Sequence, residues 1–109
     1  MEKISKYFRE LSIKHAEAIQ TGNNKVANRL HKKLMSLYND IKNNEEINII
    51  KELSKDENES VRLWSATFLL KSNSEFALKL LNDLKKSNSV NSLTASAIID
   101  MWEKGMLEL

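Results

Sequence analysis

The sequence predicts an all-α protein, and three observations support this prediction. Apolar residues recur with the 3.6-residue period of a helix along almost the whole chain. No segment alternates apolar and polar residues over several positions, as a half-buried strand would. Proline is absent, and the only two glycines, Gly22 and Gly105, fall where predicted helices end. The 109 residues suit one domain with a core of its own.

Two long helices are predicted within residues 1–43. The first covers residues 2–20 and ends at the turn Thr21-Gly22-Asn23-Asn24, and the second covers residues 25–42. Each helix places its apolar residues on one face, and the short turn makes the two helices neighbours in an αα-hairpin. The apolar stripe of the second helix consists of Val26, Leu30, Leu34, Leu37 and Ile41.

Four shorter helices are predicted within residues 44–109, over residues 45–55, 59–71, 75–86 and 93–104. The helix over residues 59–71 is apolar almost all round, which is typical of a helix packed on several sides. At an offset of 31, the apolar positions of residues 45–71 match those of residues 76–102. The pairs are Ile47, Ile50 and Leu53 with Leu78, Leu81 and Leu84. We therefore expect two helical repeats over residues 44–109, capped by the first hairpin, in an α-α superhelix of about six helices.

The segment over residues 53–66 resembles the turn of a HEAT repeat, through Asp56, Val61, Arg62 and Ala66. In that pattern the aspartate satisfies free backbone N–H groups at the start of the second helix, and the arginine reaches back to acids and carbonyls of the turn. The whole layout is similar to a small bacterial family of unknown function whose members look like immunity proteins. The resemblance implies a single HEAT-like helical domain over residues 1–109 that binds another protein, and it implies no catalytic residues.

Charge is divided unevenly between the two parts of the chain. Residues 1–43 have an excess of basic residues, whereas residues 44–109 have an excess of acidic ones, which can orient a partner. Acidic side chains beside an arginine and a tryptophan predict a contact surface for a basic partner protein, such as a toxin that an immunity protein neutralises. This predicted surface consists of Glu45, Glu46, Glu52, Asp56, Glu57, Glu59, Arg62 and Trp64.

The second helix also carries four basic residues along one side, at positions i, i+4, i+7 and i+8. These residues are Lys25, Arg29, Lys32 and Lys33. Such a stripe is a possible set of phosphate contacts, so nucleic-acid binding is the alternative function. The same residues are also typical of the solvated back of an amphipathic helix, with lysine stems covering apolar surface.

Catalysis and cofactor binding have no recognisable motif in this chain. Cysteine is absent, and no phosphate loop or nucleophile elbow is present. The only histidines, His15 and His31, would need a carboxylate such as Glu17 to hold a metal, and a hydrogen-bonded core histidine is the preferred interpretation of His15. We therefore expect no enzymatic activity, no cofactor and no metal. With no signal peptide and no membrane-length apolar run, a cytoplasmic location is expected.

Overall fold

Six α-helices and no strands are found in the part of the chain that the computed structural model describes, residues 2–44 and 46–109. This confirms the predicted all-α fold class. The helices are α1 (Glu2–Gln20), α2 (Asn24–Asn43), α3 (Ile47–Leu53), α4 (Glu59–Leu69), α5 (Ser74–Lys85) and α6 (Asn91–Glu103).

Helix α3 is shorter than the predicted helix over residues 45–55. After Leu53 the backbone hydrogen bonds join residues that are three positions apart. Lys55 N–H donates to the carbonyl of Glu52, and Asp56 N–H donates to the carbonyl of Leu53. The side chain of Ser54 also donates to the carbonyl of Lys51, at 2.6 Å. These local bonds replace the regular helical pattern, so the helix ends where the polar turn begins.

Both glycines end a helix, as the sequence predicts. Gly22 and Gly105 have φ values of 73° and 70°, in the left-handed region. After α6, Gly105 N–H donates to Trp102 and Met106 N–H donates to Met101, which is the Schellman pattern. The same pair of bonds follows α1 at Gly22. The turn after Gly105 sends residues 106–109 back over the body of the protein.

Helix α4 is the central element of the fold. It packs against α1, α3, α5 and α6, and all of its residues except Glu59 and Arg62 are buried. This confirms the sandwiched helix predicted from its almost continuous apolar surface. The consecutive pairs α1–α2, α3–α4 and α5–α6 also pack against each other.

An aromatic cluster joins α4 to the first two helices. The ring of Phe68 stacks on Tyr38 of α2 at 4.5 Å and meets Phe8 of α1 edge-on at 5.9 Å. Trp64, one turn before Phe68, continues the cluster at 5.9 Å. Because residues four apart share a helix face, Trp64 and Phe68 both point towards the hairpin formed by α1 and α2.

Candidate binding cleft

An open cleft of about 570 Å³ lies between the α1–α2 hairpin, α4, α6 and the C-terminal residues. Most of the surface inside this α2–α6 cleft is apolar. The apolar part of its walls includes Ile19, Ala27, Met35, Ala97, Ile98, Leu107 and Leu109. Leu107 and Leu109 pack against the core, so the apolar tail folds back onto the protein and completes one wall of the cleft.

Trp64 and the two histidines also line the cleft. His15 meets the indole edge-on, with the ring centres 5.0 Å apart and the planes at 84°. His31 lies 5.5 Å from the same indole with the planes at 36°. The helical periods of α1 and α2 bring these histidines to Trp64, although 16 residues separate them in the sequence.

Trp64 has an unsatisfied hydrogen-bond donor. The side chain is 4% exposed, and Nε1 is buried with no acceptor in the described part of the chain. Leaving such a group unpaired costs about 1–3 kcal/mol, so it is unusual in a folded protein. Solvent does not reach Nε1 in this conformation.

Both histidines favour the neutral form. Burial lowers the pKa of His15, and the charge of the nearby His31 lowers it further. His31 remains exposed to solvent, yet desolvation by the surrounding protein still lowers its pKa. His15 is buried as predicted, but it forms no hydrogen bond within residues 3–44 and 46–109. No group of three metal-ligating side chains occurs in those residues either.

Exposed apolar side chains stand at the mouth of the cleft. Leu93, in the first turn of α6, is 77% exposed, and Met101, two turns later, is 39% exposed. Both side chains line the cleft. These side chains extend the apolar surface of the cleft into one contiguous patch, and such patches are typical of docking surfaces.

Basic residues follow the cleft-lining residues of α2 in the sequence, about 100° further around the helix. Asn24, Asn28 and His31 line the cleft, and the residue after each of them is basic and exposed. These three form the α2 basic row, which consists of Lys25, Arg29 and Lys32. Among the residues whose side chains are described, none of the three forms an ion pair. The predicted basic side of α2 is therefore present.

Arg29 and Lys33 also line a second, more polar cavity of about 540 Å³ between α1 and α2. Lys14 and Glu17 complete the charged part of its lining. Lys14 is paired with Glu10 at 2.8 Å, so only Arg29 and Lys33 contribute unpaired positive charge among the described side chains. Arg29, a member of the α2 basic row, therefore reaches towards this second cavity, as Lys33 does.

Two residues of the predicted acidic surface, Asp56 and Arg62, form hydrogen bonds that hold the α3–α4 turn. Asp56 pairs with Nε of Arg9 at 3.3 Å and accepts the backbone N–H of Asn58 at 2.8 Å. Nη1 of Arg62 donates to the carbonyls of Asp56 and Glu57, at 2.8 and 2.9 Å. This confirms that the arginine reaches back to the carbonyls of the turn.

The cap of α4 differs from the one predicted. Oδ1 of Asn58, not Asp56, accepts the N–H groups of Ser60 and Val61 at the start of the helix. The reason is positional, because a capping side chain must stand directly before the first helical residue, and Asp56 is too far upstream.

The other members of the predicted surface are dispersed. Glu59 accepts hydrogen bonds from Ser87 and Ser89, in the loop before α6. Glu46 is half-buried before α3, whereas Glu52 and Glu57 are exposed. Glu45 lies outside the described residues.

The structure therefore gathers Asp56, Glu57 and Arg62 in one turn and separates Trp64 from them. Trp64 follows Arg62 by two positions, which is about 200° around a helix, so it belongs to the cleft. Leu93 and Met101 are the residues that sequence reasoning missed. The available signal was that Leu93 stands off the apolar stripe of α6 formed by Ala95, Ile98 and Ile99.

Comparisons of the chain with protein-family models, with curated proteins and with solved structures found no match. In the described part of the chain, no helix combines the length and the apolar character needed to cross a membrane.

Proposed function

We propose that this chain is a non-enzymatic protein-binding module that receives an apolar segment of another protein in the α2–α6 cleft. The observation that carries the proposal is the 77% exposure of Leu93 at the mouth of an apolar cleft. Fully burying a leucine side chain is worth about 1.5–3 kcal/mol, so a partner that covers Leu93 gains affinity there. The similarity of the whole layout to a small bacterial family whose members look like immunity proteins supports the specific role of neutralising a toxin.

The open mouth of the cleft favours a protein over a small molecule as the partner. Small-molecule sites enclose most of their ligand, whereas Leu93 and Met101 line this cleft and remain exposed to solvent. We place the main contact here and not at the acidic residues around the α3–α4 turn. In that turn, Asp56 and Arg62 already hold the backbone.

Partner capture tests this proposal. The purified chain is used to retrieve partners from extracts of its source cells, and the recovered protein is then produced alone for affinity measurements. Leu93→Glu should weaken its binding about tenfold or more, because a carboxylate replaces an apolar anchor. Phe76→Glu is the matched control, since Phe76 is 42% exposed on α5 and does not line the cleft. A partner that binds both variants as well as the wild type contradicts the proposed site, and recovery of no partner contradicts the function.

Nucleic-acid binding is the second candidate function. It is favoured by the four exposed basic residues of α2, which form no ion pairs with the other described side chains. If it holds, charge reversal at Lys25, Arg29, Lys32 and Lys33 should abolish binding to a short DNA duplex. Binding by the wild type should also weaken steeply as salt increases. Retained DNA binding by the reversed variant excludes this role for α2.

A further inference from the structure

We infer that the segment received by the α2–α6 cleft is an amphipathic α-helix with acidic residues along the side that faces α2. The inference rests on the proposed function and specifies the chemistry of the partner. It is argued from the shape of the α2 and α6 walls of the cleft and from the positive charge that lies beside the α2 wall only.

The walls have the length and the spacing that suit a helix. On α2, the lining residues Asn24, Asn28, His31 and Met35 form one row. Asn24 and Met35 are eleven positions apart, so this row is about 16 Å long, or three turns. On α6, the facing row contains Leu93, Ala97 and Met101, which are one turn apart. A groove between two helical rows is the form in which proteins receive amphipathic helices, through apolar residues at i, i+3 or i+4, and i+7.

The charge beside the cleft is asymmetric. Lys25, Arg29 and Lys32 have the same spacing as the lining row of α2 and form no ion pair with a described side chain. Beside the α6 wall, exposed Asp100 is paired with Lys104 at 3.0 Å, and Glu103 is the other nearby carboxylate. Only the α2 rim therefore presents a row of unpaired positive charge. An acidic flank on the incoming helix complements this rim and fixes which way the helix lies.

The interior of the cleft is suited to an apolar face. The histidines beside Trp64 favour the neutral form because burial lowers the pKa of each. No lysine, arginine, aspartate or glutamate lines the cleft among the described residues. Charged residues of the partner therefore find complementary groups at the rim, and its apolar residues meet the walls.

Two synthetic peptides of about 16 residues test the inference. Both carry the same leucines at i, i+3, i+4, i+7 and i+11, and they differ by glutamates or lysines at the same flanking positions. Binding is followed by the fluorescence of Trp64 in a Trp102→Phe variant, which leaves Trp64 as the single tryptophan. We expect the glutamate peptide to bind about tenfold or more tightly than the lysine peptide at low salt, with a smaller ratio at high salt.

Charge reversal of the α2 basic row provides the second arm of the test. The triple variant Lys25→Glu, Arg29→Glu, Lys32→Glu should invert the preference between the peptides. The control is Lys51→Glu, Lys55→Glu, Lys79→Glu, which changes net charge equally on exposed residues that do not line the cleft. The control should keep the wild-type preference.

The outcomes separate this inference from the proposed function. Equal affinity for both peptides, lost in Leu93→Glu, overturns the acidic flank while leaving a protein-binding cleft. Failure of both peptides to bind overturns the amphipathic helix as the occupant, and the partner captured from extracts then decides the function independently. If reversing the basic row abolishes DNA binding and leaves peptide preference unchanged, the row serves nucleic acid and the inference is wrong.

Discussion

Nδ2 of Asn91 donates a buried hydrogen bond of 3.0 Å to Oγ of Ser60, and the two residues lie 31 positions apart. That separation equals the offset at which the two predicted helical repeats match. Ser60 stands in the first turn of α4 and Asn91 in the first turn of α6, so the bond joins two positions that the predicted repeats would make equivalent. Beside this bond, Glu59 accepts from Ser87 and Ser89 of the loop before α6.

Removing the amide of Asn91 should destabilise the protein. In Asn91→Ala the hydroxyl of buried Ser60 loses its partner, and we expect a loss of about 1–3 kcal/mol in the free energy of unfolding. Urea denaturation measures it. Asn88→Ala, at an exposed position of the loop before α6, should stay within about 0.5 kcal/mol of the wild type. Combining Asn91→Ala with Ser60→Ala should be non-additive, and strict additivity would contradict a direct bond.

Arg62 should stabilise the α3–α4 turn through its two bonds to backbone carbonyls. We expect Arg62→Ala to lower the free energy of unfolding by about 1–2 kcal/mol. Arg62→Lys should recover only part of the loss, because lysine lacks the planar fork of donors. Lys55→Ala is the control, since Lys55 is exposed in the same turn. Equal stability of the Arg62 and Lys55 variants would show that the bonds to Asp56 and Glu57 contribute nothing.

Substituting either glycine should cost stability through the backbone alone. No atom lies within 4 Å of a Cβ placed at Gly22 or Gly105, but both residues have positive φ. We therefore expect Gly22→Ala and Gly105→Ala each to lose about 1 kcal/mol in thermal or urea unfolding. Asparagine tolerates the left-handed region better, so Gly22→Asn should lose less than Gly22→Ala. The opposite order would argue against a backbone origin.

Phe68 should be among the most sensitive positions, because its ring contacts Phe8, Tyr38 and Trp64. We expect Phe68→Ala to cost about 3–5 kcal/mol. Phe76→Ala removes the same atoms from an exposed position and should cost far less. Urea denaturation of the two variants gives the comparison. Similar losses would mean that the aromatic cluster does not anchor α4 to the first hairpin.

Acidification should destabilise the protein through His15. Burial and the neighbouring His31 lower the pKa of His15 in the folded state, so the unfolded state binds its proton first as pH falls. The stability that neutral His15 contributes is therefore complete above the ordinary pKa of 6.5, and it is lost as pH falls through the lowered pKa of the folded state. Urea denaturation at several pH values should show that the free energy of unfolding falls less below pH 6.5 in His15→Leu than in the wild type. His31→Leu, which keeps His15, should retain part of the dependence. Identical pH profiles for His15→Leu and the wild type would contradict this assignment.

The local features of the fold were predictable because neighbouring residues produce them. Gly22 and Gly105 end helices through their own backbone freedom, and Arg62 reaches carbonyls only a turn away. The central position of α4 also followed from its sequence, since a helix that is apolar on all sides needs neighbours on all sides. The shortened α3 and the capping of α4 by Asn58 depended on competition among nearby polar groups, which residue spacing does not resolve.

The sequence by itself determined the helical class and the helix-ending glycines, because periodicity and backbone freedom are local properties. It determined the core only in part, since α2 buries Ala27 and Tyr38 and leaves the predicted Val26 and Leu37 half-buried. Only the tertiary structure decided that Trp64 faces His15 and His31 while Arg62 faces the α3–α4 turn. It also decided that Leu93 stands exposed beside the cleft. Both outcomes depend on how four helices and the C-terminal residues approach one another, since side chains distant in the sequence share a site only after those helices pack.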